Sequence, residues 1–103
     1  MKTHAKKQMT IICEIPVMGR VTRTLDREGV SGYTVFNAFS GKGSEGTWDR
    51  DRIIGDAGRM VMIISIMSAT HAESVIDEIY KVLDPQMGIV TIADVEVLRP
   101  DLF

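Results

Sequence analysis

Four short apolar runs and two stretches of helical spacing divide the chain. Met9-Thr10-Ile11-Ile12-Cys13-Glu14-Ile15 is bounded by charge on one side and Pro16 on the other, and reads as a buried strand. Pro16 suits the first turn of a helix, where its missing N–H costs nothing. Beyond it Val17, Val21 and Leu25 recur every four residues, while Arg20, Arg23 and Arg27 fall outside that stripe. Gly29 can end the helix in a left-handed conformation. A second strand runs over about 32–39, and Arg59 to Ser68 forms a third. Thr70-His71-Ala72-Glu73 fits a capping box with Thr70 as N-cap. The helix after it places Ala72, Val75, Ile76, Ile79, Tyr80 and Leu83 on one stripe, and Ile89 to Leu98 is the last strand.

The order strand, helix, strand, strand, helix, strand predicts an α+β, ferredoxin-like βαββαβ domain over residues 1–103, a four-stranded antiparallel sheet with both helices on one face. The third strand, Met60 to Met67 broken only by Ser65, is apolar on both alternate faces. A two-layer domain buries one sheet face, so the other needs a cover, and with two helices available the cover is expected from another subunit.

Between the second and third strands the pattern changes. Gly41-Lys42-Gly43-Ser44-Glu45-Gly46 opens a stretch of little apolar periodicity, and five of the nine glycines lie between Gly41 and Gly58. A loop of this length in a compact domain is uncommon unless it binds something or is disordered, so function is sought here.

Composition narrows the classes. A hydrophobic fraction of 45% with 25% charged residues is that of a folded globular chain, and the net charge of −2 gives no reason to expect non-specific nucleic-acid binding. Lys2, Lys6 and Lys7 cluster near the start and read as a solvated terminus, with His4 disordered among them. Cys13 is the one cysteine, which excludes an intramolecular disulfide and favours a reducing cytosol. The first apolar run is too short for a signal peptide, and no run approaches the ~18 residues of a membrane span.

Gly32-Tyr33-Thr34-Val35 and the long glycine-containing excursion after it together resemble the PII signalling superfamily, and the similarity covers nearly the whole chain. Residues 40–59 correspond to that family's T-loop, and 84–89 to its B-loop. Gly41-Lys42-Gly43-Ser44 and the ending Glu96-Val97-Leu98-Arg99-Pro100 are similar to the PII-like branch associated with bicarbonate transport and carboxysomes. No Tyr stands in the loop, so the nucleotidylation site of many nitrogen-signalling relatives is missing.

The resemblance implies a homotrimer with adenine nucleotide, ADP or AMP, in three clefts between subunits, and bicarbonate as a second ligand in some members. It implies a signalling protein rather than an enzyme, with no prosthetic group. Its T-loop would engage a membrane bicarbonate transporter, so the protein is expected in the cytoplasm and at the inner membrane through that partner.

Carried onto this chain, the resemblance implies a nucleotide site built from Ile11 and Ile12 beside the adenine, Gly32 and Thr34 through main-chain groups, Gly41, Lys42, Gly43 and Ser44 at the phosphates, Gly88 and Ile89 from the B-loop, and Arg99. Glycines let backbone N–H groups converge on a phosphate and cations complete the charge, although a G-x-G-S string alone is also an ordinary turn and Ile11 and Ile12 equally suit the core. The B-loop lacks the lysine typical of the nitrogen-signalling branch, which favours ADP or AMP over a triphosphate. Trp48, an aromatic on a glycine-rich loop, is a candidate partner anchor, with Arg50 and Arg52 beside it.

Other readings stay open. The pattern also fits a nitrogen-regulatory PII sensor, a small oligomeric enzyme of the dimeric-barrel type, and a metal-tolerance trimer of related fold. The last needs ligands the chain barely has, since His71 reads as a first-turn helix residue and Cys13 as a buried strand residue. No catalytic triad is apparent. Asp94 and Glu96 read as solvated or inter-subunit salt-bridge partners.

Overall fold

The computed structural model describes residues 1–43, 46–49, 59–83 and 88–99, with 43 and 46–49 described through their backbone. The elements run β1 (His4–Glu14), α1 (Ile15–Arg27), β2 (Thr34–Asn37), β3 (Ser40–Gly43), β4 (Gly46–Asp49), β5 (Met60–Met67), α2 (Ala69–Val82) and β6 (Gly88–Val97). β2, β5, β1 and β6 lie in that order in one antiparallel sheet. This is the ferredoxin-like arrangement expected, with a separate two-stranded ribbon of β3 and β4 added.

Alternation along the strands sorts the core. Met9, Ile11 and Cys13 of β1 and Val61, Ile63 and Met67 of β5 are buried with Val17, Val21 and Leu25 of α1 and Ala72, Val75 and Ile79 of α2. Both helices therefore cover one sheet face. On the other face Met60, Met62, Ile64 and Ile66 of β5 and Ile12 of β1 are only half-buried, while Phe36 and Ile89 are 46% and 59% exposed. The two-faced apolar strand is thus real, and within one chain its outer face stays uncovered.

Helix α1 begins with Pro16 in its first turn and ends in a Schellman motif. Gly29 takes φ 74°, its N–H reaching Asp26 O at 3.1 Å, while Val30 N–H reaches Leu25 O at 3.1 Å. Helix α2 departs from expectation at its start. Ser68, not Thr70, is the N-cap, its hydroxyl accepting from the His71 N–H at 3.1 Å, so Glu73 lies too far along to close a capping box. Tyr80 also leaves its expected stripe and is 70% exposed, because the core contact of this helix narrows to Ala72, Val75, Ile79 and the following Leu83.

The N-terminal residues are likewise structured where a solvated tail was expected. β1 starts at His4, paired with Val97, and Lys7 forms an ion pair with Asp94 of β6. Thr3 Oγ1 donates to Glu96 Oε1 at 2.7 Å, so both strand carboxylates are engaged within the chain. Pairing with β6, not local apolarity, extends β1 over these polar residues.

Candidate functional site

Register places Ile89, Ile12, Met62 and Phe36 in one row across the uncovered sheet face, since Ile12 pairs with both Ile89 and Met62, and Met62 with Phe36. Next to this row, at the same end of the sheet, the chain enters or leaves all four strands. β2 ends at Asn37 on its way to the β3–β4 ribbon, β5 begins at Met60, β1 passes into α1, and β6 begins at Gly88. The base of the 40–59 excursion and the end of the 84–89 segment are thereby neighbours.

Two features make this corner tight. Gly88 lies against β1 so closely that a Cβ there would stand 2.8 Å from the Ile12 carbonyl oxygen and 3.2 Å from Cys13 Cβ. Only glycine lets β6 start at this depth. Arg59 is the second feature. Its carbonyl accepts the Ile15 N–H at 2.9 Å, tying the first turn of α1 to the base of the excursion, and its side-chain Nε is buried without a hydrogen-bond partner among the described residues. A guanidinium N–H so placed lacks an acceptor, and an anion would supply one.

The β3–β4 ribbon replaces the irregular backbone expected at Gly41 to Gly43. Gly41 pairs with Trp48, Lys42 with Thr47 and Gly43 with Gly46. Alternate N–H groups of an antiparallel strand point away from its partner, so a two-stranded ribbon keeps a row of donors on its outer edge. Lys42 is exposed. Ser44, Arg50, Arg52, the side chain of Trp48 and residues 84–87 lie outside what the structure describes.

The remaining expected residues separate. Gly32 O accepts a 2.6 Å hydrogen bond from the Ser65 hydroxyl, which fixes the entry to β2. Thr34, opposite Ile64, shares the uncovered face with Ile12 and is exposed. Ile11 points the other way and is buried at 1% exposure in the core, so its side chain packs under the helices rather than lining that face. Arg99 follows β6 at the opposite end from Gly88, and the ten residues of β6 span ~30 Å. One small ligand cannot touch both within a single chain.

Sequence reasoning counted Arg59 only among loop charges and missed that its Nε is buried. A lone arginine at a loop-to-strand boundary was the available signal. His71 proves structural, its Nε2 lying 2.6 Å from the Glu28 carbonyl and joining the two helices. Cys13 is fully buried, and desolvation with Glu14 beside it pushes its thiol up to about 11. Among the described residues no three His, Cys, Asp or Glu side chains gather as metal ligands, and no helix is long and apolar enough to cross a membrane.

The family model "Nitrogen regulatory protein P-II" matches residues 6–102. This chain belongs to the P-II family. Among solved structures, CPII of Thiomonas intermedia K12, described as a nitrogen regulatory PII-like protein bound to ADP, AMP and bicarbonate, is 29% identical with a TM-score of 0.88. That match covers 99% of this chain and 96% of CPII. CPII bound to ADP and bicarbonate superposes at a TM-score of 0.85 and 30% identity, over 99% and 97% of the two chains. A protein of Thermus thermophilus, assigned to the PII-like signalling proteins, matches at 25% identity and a TM-score of 0.78, over 98% and 97%. No curated protein matches the chain. The β3–β4 ribbon lies in the excursion between β2 and β5, and Arg59 stands at the end of that excursion.

Proposed function

We propose that this P-II protein is a sensor that binds ADP or AMP together with bicarbonate in clefts between the subunits of a homotrimer. Occupancy is passed through the T-loop, residues 40–59, to a membrane bicarbonate transporter on its cytoplasmic side. The observation that carries the ligand reading is the Nε of Arg59, buried and without a hydrogen-bond partner among the described residues, at the end of the excursion whose backbone is tied to the first turn of α1. An anion supplies the missing acceptor, and bicarbonate fits by charge.

Two separate needs support association with further subunits, which the trimer of this reading meets. The uncovered face from Phe36 to Ile89 needs an apolar cover, and the candidate residues at opposite ends of β6 need a second chain to meet around one ligand. In that arrangement Ile12, Thr34, Gly41, Lys42, Gly88 and Ile89 come from one subunit and Arg99 from its neighbour. Trp48, Arg50 and Arg52 then belong to the part of the loop that meets the transporter. CPII, with ADP and bicarbonate bound, supports the same ligand pair by analogy over the whole chain.

Isothermal titration with AMP, ADP and ATP, each with and without bicarbonate, tests the ligands. Binding of ADP or AMP that tightens in bicarbonate is expected, and absence of binding at millimolar nucleotide refutes the reading. The transporter is tested separately by its capture on the tagged protein in defined nucleotide states, and a capture unaffected by removing residues 44–56 would overturn the T-loop assignment.

A further inference from the structure

The outer surface of the helical layer, opposite the uncovered sheet face, carries two charged stripes of equal length. On α1, Arg20, Arg23 and Arg27 stand at i, i+3 and i+7 and are all exposed. On α2, Glu73, Asp77 and Tyr80 stand at i, i+4 and i+7, also all exposed, Tyr80 at 70%. Each spacing keeps three side chains on one flank over two turns, ~10 Å of helix.

Neither stripe is fully neutralised within the chain, although Lys81, which bonds Glu78 at 3.0 Å, lies close enough to Asp77 to feel its charge. Arg27 reaches Glu78 at only 3.7 Å, and among the described residues Arg20, Arg23, Glu73 and Asp77 have no ion-pair partner. Tyr80 borders an open hollow of about 580 Å³ that Glu28, Ile76, Asp77 and Lys81 also line. An exposed phenol ring with a carboxylate one turn away is a seat for a guanidinium, which stacks on the ring and donates to the carboxylate.

We infer that this face docks a second copy of the chain, the arginine stripe of each protomer lying on the Glu73–Asp77–Tyr80 stripe of the other. The chain itself carries the complementary surface. A face basic along one side and acidic along the other becomes self-complementary when its copy is turned about a two-fold axis parallel to the stripes. The net charge of −2 leaves little overall repulsion to oppose such contact. Because the face points away from the sheet surface assigned to the trimer, docking joins whole assemblies and does not compete with their formation.

Light scattering and sedimentation across a protein concentration series, at low and high ionic strength, read both levels at once. The base oligomer reports the trimer, and growth of mass beyond it at low salt reports this contact, since each trimer carries three such faces, so either can fail alone. R23E and D77R each should weaken this association by roughly ten- to hundredfold, since the two-fold axis counts every reversed pair twice. The R23E/D77R double variant should restore it. Circular dichroism and the base mass verify that the exposed-site variants fold. A mass independent of concentration and salt overturns the proposal, as does a double variant that stays as weak as the singles.

Discussion

Replacing Arg59 by methionine tests the anion site through two effects of opposite sign. Methionine keeps most of the apolar stem and removes the guanidinium, while the carbonyl that receives the Ile15 N–H is untouched. In the free protein the buried Nε, without a partner among the described residues, costs ~1–3 kcal/mol, the penalty of a desolvated donor without an acceptor. R59M relieves it. At ~4–8 °C per kcal/mol for a domain of this size, the melting temperature without ligand should rise by about 4 °C or more at fixed protein concentration. With bicarbonate present the same variant loses a charge-assisted hydrogen bond worth ~1.5–3 kcal/mol, so bicarbonate affinity should fall roughly 10- to 150-fold. R59K keeps the charge without the planar fork and should fall between. Differential scanning calorimetry and titration of bicarbonate into the ADP-loaded protein supply both numbers. Unchanged bicarbonate affinity in R59M, or a lower melting temperature without ligand, would refute the reasoning, the latter because it is the signature of lost packing.

Cys13 predicts a pH dependence. Its folded pKa of about 11 lies above its ordinary value of 9.0, so the fold favours the neutral thiol and that stabilisation is complete below pH 9. It is lost as pH rises towards about 11, by roughly 2–3 kcal/mol, which urea midpoints should show for the native protein and not for C13A. A parallel decline in both proteins would place the effect elsewhere. At Gly88 the added methyl of G88A meets a backbone oxygen of a central strand at 2.8 Å, and a cost of ~1–3 kcal/mol in urea unfolding is expected. G19A is its control, since the new Cβ meets only the mobile end of Arg23 at 3.1 Å and a helix-interior alanine gains ~0.5–1 kcal/mol over glycine. Similar effects at both glycines would contradict the close-approach reading of Gly88.

Element type and order were legible in the chain because they depend on local period. Val17, Val21 and Leu25 return every turn and are buried, Gly29 ends its helix with positive φ, and β5 alternates apolar side chains onto both faces. The need for a cover on the second face was legible for the same reason. The motif around Gly32 to Ser44 carried the family, which the match over residues 6–102 shows. What the sequence left undecided depended on distant partners. His4 to Lys7 join β1 because β6 lies alongside, Tyr80 is exposed because α2 buries a narrower stripe than its spacing suggests, and Gly41 to Gly43 are a strand because β4 folds back on them. The corner of the candidate site belongs to this second class. Arg59, Gly88 and Ile12 are far apart in sequence, and the register of three strands brings Gly88, Ile12 and the start of β5 to one end of the sheet. Periodicity determines which face a residue takes; only the long-range pairing of strands determines what stands opposite it.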